Sequence, residues 1–429
     1  MQRHRTFSTA TSVIVLAIFI GLFFAAGPTV VFGQDADNEP TAPAARVYLP
    51  FLSTGGLNAG APPAADEGEE ERRHGAPLRL IVDTDPGVDD AVALTWLLSQ
   101  NRVPVQLLGV VTVAGNTNIL AATNNVLNVL ARLPAPNVPV VMGAAAPISQ
   151  TLSKTGWFIH GPDGLWGLGF ANPQNPAGVL LDATGFYCND VADELFAGAT
   201  VLALGPLTNI AHAVIACPDR MRTLGSVVVL GGAKFGGNKT PVAEFNFWQD
   251  PEAVAIVLAA GLPIRQVPLD AFAQATLQLK DVDKLNNSRN PAARFLAPAL
   301  QQYVAVQIEN TGIATIPDAV AAIYALDPTI GAVQPALVKL VLAEGPTRGQ
   351  SVVGLSIAER VAMIATDAEL SALAERAFYL LATVPNFDFR LYLQSELGAI
   401  LVRESDNVQW LATAPNNLLT KTLLPALRK

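Results

Sequence analysis

The sequence predicts an α/β protein built on a mostly parallel, doubly wound open sheet with helices on both faces, preceded by a signal segment and a disordered spacer. Short apolar runs typical of buried strands alternate with segments long enough for crossover helices, which is the pattern of a parallel sheet. The 429 residues are 51% hydrophobic and 15% charged, so the chain can bury a large core. The net charge of -9 and the absence of a basic stripe exclude nucleic acid as an expected partner.

The first part of the chain has the composition of a targeting segment. Residues 1–33 combine a basic start with a nearly continuous apolar run, which predicts a signal peptide and export to the periplasm, the cell surface or the extracellular space. The run is also long enough for an uncleaved anchor, and only then would the protein be attached to a membrane. Residues 34–76 are rich in Pro, Ala, Gly and acidic residues and predict a spacer. A folded domain is expected at 77–384, and an extension at 385–429 that packs on the domain or on a partner.

The folded domain begins with a strand, a turn and a helix in the stretch LRLIVDTDPGVDDAVALTWLL, from Leu78 to Leu98. An apolar run of strand type ends at Val82, Pro86 and Gly87 break it, and apolar residues follow at helical spacing. Further strands are predicted at 105–113, 137–142, 200–204, 226–230 and 264–269, and a helix at 116–130.

Four carboxylates, Asp83, Asp85, Asp89 and Asp90, follow the first strand, at the edge of the sheet where open α/β proteins bind ligands. At an effective dielectric of about 20, two like charges 4 Å apart repel by roughly 4 kcal/mol. The cluster therefore needs a bound cation or raised pKa values, and oxygen ligands favour calcium or magnesium over zinc. One or two of these aspartates could simply cap the N-terminus of the helix, but capping cannot account for all four.

The chain has two cysteines, Cys188 and Cys217, too few for a disulfide framework or a zinc cluster. They could pair with each other, but two independent buried thiols are expected.

The DTDPGVDD string resembles the amino-terminal signature of the inosine-uridine preferring nucleoside hydrolases. The resemblance covers residues 78–381 and implies that 77–384 is a catalytic domain of nucleoside hydrolase type. The later strings that resemble motifs of this family are TVAGNTN (112–118), FIHGPDGLWG (158–167), GPLTNIA (205–211), GGAKFGGNKTPVAEFNFWQDPEA (231–253) and TIPDAVAAIYALDP (315–328).

The resemblance implies hydrolysis of the N-glycosidic bond of a small-molecule ribonucleoside to free base and ribose by a calcium-activated water. Asp85 is the implied general base. From its position in the strand, Asp83 is expected to support the metal ligands without binding the ion itself. The implied Ca²⁺ ligands are Asp85, Asp90, Asp318 and the main-chain carbonyl of Thr208. The implied substrate-binding residues are Asp89, Asn116, Asn238, Glu244, Phe245 and Asn246.

One position departs from the family pattern. Pro317 stands where the family's HDPxA segment has a histidine that assists departure of the base in some members. His160 is the histidine best placed to act as the catalytic acid instead; otherwise a tyrosine such as Tyr303 or a water must serve, or the base leaves as a stabilised anion. Residues 273–316 are predicted to form a mobile helical flap that selects the base.

A second function remains open from the sequence. The missing histidine and the long spacer are also compatible with an exported, non-catalytic binder of ribosyl compounds that uses the same pocket. The resemblance further implies a homodimer or a homotetramer.

Overall fold

The computed structural model describes residues 76–429 except 134–137, 155, 176–177, 405 and 407. The predicted signal segment and spacer lie outside the described residues. Within the described part, one nine-stranded sheet has the order β3-β2-β1-β4-β5-β6-β9-β7-β8. The strands are β1 Leu78–Thr84, β2 Val105–Thr112, β3 Val140–Met142, β4 Thr200–Ala203, β5 Ser226–Leu230, β6 Ile264–Val267, β7 Val333–Leu340, β8 Ser351–Gly354 and β9 Val408–Leu411.

Helices separate the first six strands, which is the alternation that the sequence predicts. The sequence does not predict β7, β8 and β9, and β7 and β8 follow each other without a helix between them. The helices of eight or more residues are α1 Val88–Ser99, α2 Ile119–Leu130, α3 Thr208–Ala216, α4 Pro251–Ala259, α5 Pro291–Thr311, α6 Pro317–Leu326, α7 Ile357–Ile364, α8 Asp367–Thr383 and α9 Phe389–Leu401. The shorter helices are Trp157–His160, Leu168–Ala171, Ala183–Gly185, Asp193–Phe196, Pro218–Met221, Phe245–Gln249, Leu269–Phe272, Leu279–Val282 and Leu424–Leu427. Asp283–Asn287 is a 3₁₀ helix, and Phe186–Asp190 and Leu419–Leu423 are π-helices.

The first six strands pair in parallel, and their side chains alternate between two hydrophobic cores. In β1, Leu80 and Val82 join the core that also contains residues of α1, α5 and α6. Ile81, which points to the opposite face, joins the core that contains residues of α3 and α4. Helices therefore cover both faces, which confirms the predicted doubly wound fold.

The carboxy-terminal segment supplies a strand to the interior of the sheet. β9 pairs in parallel with β6 and antiparallel with β7, with Val408 opposite Ile264 on one side and Ala336 on the other. Residues 397–429 accordingly belong to the same compact unit as the described residues before 365. Ala365–Glu396 form a separate unit, in which the hydroxyl of Thr366 caps α8 by accepting the N–H of Glu369.

The expectation of two independent buried thiols is wrong. Cys188 lies in the π-helix Phe186–Asp190, and Cys217 directly follows α3. The fold brings their Cα atoms to 5.8 Å, a separation that suits a disulfide, and the two residues are bonded. Both are half-buried.

The segment predicted to be a flap consists of the short helix Leu279–Val282, a 3₁₀ turn and α5. Asn290 caps α5 by accepting the N–H groups of Ala292 and Ala293, and the break between the two helical stretches lies just before it. The mobility of this segment stays a prediction. No helix among the described residues is long and apolar enough to cross a membrane.

Candidate active site

Asp85 lies where the strand order reverses direction, because β1 stands between β2 and β4. In open α/β sheets this switch point is the usual ligand crevice. Gly115 follows β2 and Gly205 follows β4, and both touch the carboxylate of Asp85. A Cβ at 115 would lie 2.0 Å from Oδ2, and a Cβ at 205 would lie 2.7 Å from Oδ1. Only glycine allows the two loops to enclose Asp85 this closely.

Asn116 connects two of the aspartates. Its backbone N–H donates to Oδ2 of Asp85 at 2.7 Å, and its side-chain amide donates to Oδ2 of Asp90 at 3.1 Å. Asp90 also accepts the hydroxyl of Thr84 at 2.6 Å and the N–H of Gly87 at 3.0 Å. Asn116 thus orients the carboxylates, and its contact with ribose, which the sequence resemblance implies, stays a prediction.

Asp318 comes from a distant part of the chain and joins the same cluster. α6 starts at Pro317, which suits a first helical position, so Asp318 lies in the first turn. Carboxylate oxygens of Asp89, Asp90 and Asp318 all lie within 4.8 Å of one another, and the three residues are buried. Asp89, which the resemblance implies as a ribose contact, thus belongs to the carboxylate group, and Asp85 adjoins it.

Burial and mutual repulsion raise the pKa values of Asp85, Asp90 and Asp318 in this cluster. Burial raises the pKa of Asp85 and of Asp318 well above the usual value, and the charges of their aspartate neighbours raise both further. Burial raises the pKa of Asp90 in the same way. Oδ1 of Asp85, of Asp89 and of Asp318 is buried without a hydrogen-bond partner among the described residues. Several buried oxygens without donors suit a hard divalent cation bound by carboxylates.

His160, the last residue of the short helix Trp157–His160, contacts the first turn of α1 next to Asp89. Its Nδ1 accepts the N–H of Val88 at 3.2 Å and lies 3.6 Å from Oδ1 of Asp89. The ring of Tyr303, from α5, stands 5.2 Å from the His160 ring, and its hydroxyl donates to Oδ2 of Asp89 at 2.8 Å. Burial and the charge of Asp89 raise the pKa of Tyr303 well above its usual value, so this phenol keeps its proton at neutral pH.

The loop that carries His160 is organised by a residue that the sequence analysis does not identify. The carboxylate of Asp163 accepts four backbone N–H groups, those of Leu165, Gly167, Gly169 and Phe170. The DGLWG string after His160, an acidic residue before closely spaced glycines, was the available signal.

The loop and helix after β5 hold the other polar residues that the resemblance implies. Glu244 is buried and caps the helix Phe245–Gln249, and it also accepts the N–H of Gly232 at 2.9 Å. Burial raises the pKa of Glu244 to about 7, although these hydrogen bonds lower it. Asn246 donates to the carbonyls of Leu204 at 2.6 Å and Leu230 at 3.2 Å, at the ends of two strands.

Asn238 is exposed, and its Oδ1 accepts the N–H of Phe245 at 2.9 Å. Phe245 itself is half-buried. This hydrogen bond joins the loop at Asn238 to the first residue of the helix Phe245–Gln249, and the contact of both residues with a ribose stays a prediction.

Asp83 points to the opposite face of the sheet from Thr84. Its carboxylate accepts the hydroxyl of Tyr187 at 2.8 Å and the side-chain amide of Asn209 at 3.2 Å. Burial raises the pKa of Asp83 to about 7, although both hydrogen bonds lower it. Neither partner could be identified from the sequence, since their contacts with Asp83 span 104 and 126 residues. Thr208, next to Asn209, donates its hydroxyl to Oδ2 of Asp250 at 2.6 Å, and ligation by its carbonyl stays a prediction.

Comparison with known proteins identifies relatives over most of the chain. The sequence profile of the family described as "Inosine-uridine preferring nucleoside hydrolase" matches residues 80–375. "Probable uridine nucleosidase 1" of Oryza sativa subsp. japonica is 37% identical over 236 residues, which are 54% of this chain and 71% of that protein. "Pyrimidine-specific ribonucleoside hydrolase RihA" of Shewanella woodyi is 31% identical over 298 residues, 68% of this chain and 92% of that protein.

Solved structures share the fold. A plant nucleoside hydrolase, PpNRh1, superposes with a TM-score of 0.65 at 25% identity, covering 82% of this chain and 99% of that chain. A purine-preferring ribonucleoside hydrolase from Gardnerella vaginalis superposes with a TM-score of 0.61 at 22% identity, covering 81% and 98%. The family match and these relatives do not support the alternative of a non-catalytic binder. The chain belongs to the inosine-uridine preferring nucleoside hydrolases, N-glycosidases that act on ribonucleosides.

Proposed function

We propose that the chain hydrolyses ribonucleosides to free base and ribose with the help of Ca²⁺ held by Asp85, Asp90, Asp318 and the carbonyl of Thr208. The single observation that carries this proposal is the cluster of buried carboxylate oxygens without donors at the switch point of the sheet. Asp89 lies in the same cluster and adds to its negative charge. When bound, the cation would lower the pKa of a water at the site and orient it toward the sugar.

Asp85 is the proposed general base. Its Oδ2 is fixed by the N–H of Asn116, and its Oδ1 has no hydrogen-bond partner among the described residues. One oxygen therefore sets the orientation of the carboxylate while the other can accept a proton from the attacking water. The close contacts of Gly115 and Gly205 leave the carboxylate little freedom to turn away.

The negative charge of the cluster stabilises the transition state of the reaction more than it stabilises the bound nucleoside. Cleavage at the anomeric carbon passes through an oxocarbenium-like state in which the sugar becomes positive. Buried carboxylates beneath the ring stabilise that cation more than they stabilise the neutral ribose. Asp89, Asn238, Glu244, Phe245 and Asn246 are the proposed contacts to the sugar.

His160 is the proposed acid for the leaving base. Because its Nδ1 accepts the N–H of Val88, the neutral ring carries its proton on Nε2, which is then the atom that can donate. The hydroxyl of Tyr303 is already engaged with Asp89, so releasing its proton elsewhere would break that hydrogen bond. This difference favours His160 over Tyr303 as the acid that protonates the leaving base, a role that Pro317 cannot fill.

We also propose that the protein works outside the cytoplasm. The disulfide between Cys188 and Cys217 supports this, because disulfides persist mainly in oxidising compartments. Assembly as a homodimer or homotetramer is proposed from the family resemblance alone.

The test is an assay of the purified full chain with a panel of nucleosides, headed by uridine and inosine, in the presence of calcium. Release of base and ribose that is lost in Asp85→Asn supports the proposal. If no nucleoside is cleaved in calcium, or if Asp85→Asn cleaves as fast as the unaltered chain, the proposal fails.

A further inference from the structure

The disulfide and the carboxylate cluster are linked through Asp83. Cys188 directly follows Tyr187, whose buried hydroxyl donates to Oδ2 of Asp83 at 2.8 Å. Tyr187 is fully buried in the core that covers this face of the sheet. The disulfide therefore fixes the backbone at Cys188, directly beside Tyr187, which donates to Asp83.

The other half of the disulfide reaches Asp83 through α3. Cys217 directly follows the last residue of this helix, and Asn209 lies in its first turn. The amide of Asn209 donates to Asp83 at 3.2 Å and to the carbonyl of Thr112 at 3.0 Å. Its Oδ1 accepts the N–H of Ala144 at 2.8 Å. The helix that ends just before Cys217 thus contacts the same carboxylate as Tyr187, through its first turn.

Asp83 in turn fixes the strand that carries the site. Its carbonyl accepts the N–H of Leu204, at the end of β4, at 2.8 Å. The next residue, Thr84, donates its hydroxyl to Asp90, and Asp85 follows at once. A shift of Asp83 along β1 would therefore move both Thr84 and Asp85 relative to the other carboxylates.

We propose that Tyr187 is a positioning residue for the cation site and that the Cys188–Cys217 disulfide holds it there, so that reduction of the disulfide weakens cation binding. This inference rests on the cation site of the proposed function. In the reductive step a dithiol attacks one sulfur and is oxidised to a cyclic disulfide. The dithiol gives up two electrons and two protons, which convert Cys188 and Cys217 to thiols. Both cysteines are half-buried, so a small dithiol has partial access to the bond.

The expected effect is moderate, because a second contact holds Tyr187. Nε of Arg220, three residues after Cys217, donates to the carbonyl of Tyr187 at 2.8 Å. Reduction removes the covalent link but leaves this hydrogen bond. Loss of an outer partner of a metal site changes the affinity for the metal by about 10-fold to 100-fold. Because reduction removes the disulfide but keeps the Arg220 hydrogen bond to Tyr187, it should weaken Ca²⁺ binding by only about threefold to tenfold.

The experiment is a calcium titration by isothermal calorimetry on the full chain, oxidised and after treatment with dithiothreitol. The variants are Tyr187→Phe, which removes only the hydroxyl, and the double change Cys188→Ser with Cys217→Ser. The control is Tyr324→Phe, which removes a hydroxyl from another buried tyrosine, in the core on the other face. Thermal melting in chelator separates a loss of stability from a loss of affinity.

The expected results are specific to a positioning role. Dithiothreitol should weaken calcium binding about threefold to tenfold, and Tyr187→Phe, which removes the hydrogen bond to Asp83 outright, should weaken it about 10-fold or more. The reductant should have no effect on the double cysteine variant, and Tyr324→Phe should bind calcium as the unaltered chain does. Affinity that is unchanged on reduction and in Tyr187→Phe, with melting temperature alone lowered, overturns this inference but not the proposed function. An oxidised chain that binds no calcium contradicts both.

Discussion

The backbone N–H of Asn116 donates to Oδ2 of Asp85 at 2.7 Å, which ties the loop after β2 to the first carboxylate after β1. The side-chain amide of the same asparagine reaches Asp90, so one residue sets the relative position of two aspartates. Neighbouring strands thereby determine the shape of the carboxylate cluster.

Removing the amide of Asn116 should impair chemistry and calcium binding together. In Asn116→Ala the backbone N–H to Asp85 remains, but Asp90 loses a donor. We expect kcat to fall about tenfold and calcium affinity to fall by a similar factor, since outer partners of metal sites have effects of this size. Steady-state kinetics and calorimetry measure both. A rise in KM alone, with kcat and calcium affinity unchanged, would instead support the ribose contact that the sequence resemblance implies.

A methyl group at either glycine beside Asp85 should disable the site. The Cβ of Gly115→Ala would lie 2.0 Å from Oδ2 of Asp85, so the carboxylate or the loop must move. We expect kcat/KM to fall at least about 100-fold, because a misplacement near 1 Å costs a factor of this order. Gly205→Ala should act in the same direction. Gly398→Ala, where a Cβ meets nothing within 4 Å, is the matched control and should leave kcat/KM unchanged.

The leaving-group acid can be identified with two substrates. We expect His160→Gln to slow hydrolysis of inosine or uridine by about 100-fold or more, in the range of general acid catalysis. It should barely affect p-nitrophenyl riboside, whose leaving group needs no proton. Tyr303→Phe should slow both substrates equally, because it alters Asp89 rather than proton donation. If Tyr303→Phe shows the substrate-dependent loss and His160→Gln does not, the two roles are reversed.

Glu244 should make the stability of the protein fall as the pH rises. Its folded-state pKa of about 7 lies above the ordinary value of 4.5, because the carboxyl is buried. Between these values the folded protein keeps a proton that the unfolded chain releases, so the free energy of unfolding decreases as pH increases through this window. The loss is on the order of 3 kcal/mol by linkage.

Denaturant unfolding in chelator at pH 5 and pH 8 measures this effect. The unaltered chain should lose more stability over this range than Glu244→Gln, which has no proton to release at this position. Glu309→Gln changes an exposed glutamate on α5 and should track the unaltered chain. Equal pH dependence in all three proteins would show that Glu244 does not titrate in this window.

The sequence predicts the part of the fold that depends on local patterns. Apolar runs identify the first six strands, since each is followed by a breaker and a helical segment. β9 is only four residues long, and it pairs with residues 333–336, more than 70 positions away. No local sequence pattern predicts such a pairing. The sequence allows the disulfide but does not favour it over two free thiols, because the bond also depends on the folded positions of two helices.

The candidate site was predictable where its residues stand together in one string or in a family motif. Asp85, Asp89 and Asp90 fall within six residues, and the family resemblance implies Asp318. Tyr187 and Asn209 were missed because their contacts to Asp83 span 104 and 126 residues. Long-range hydrogen bonds of single polar residues leave no periodic signal in a sequence.

A crystal structure of the protein grown with calcium tests the shared cation site most directly, through the anomalous signal of the ion. We expect one ion with carboxylate oxygens of Asp85, Asp90 and Asp318 at about 2.3 to 2.6 Å. The carbonyl of Thr208 is expected as a further ligand. An ion bound elsewhere, or no bound ion at saturating calcium, would show that these residues do not form a shared calcium site.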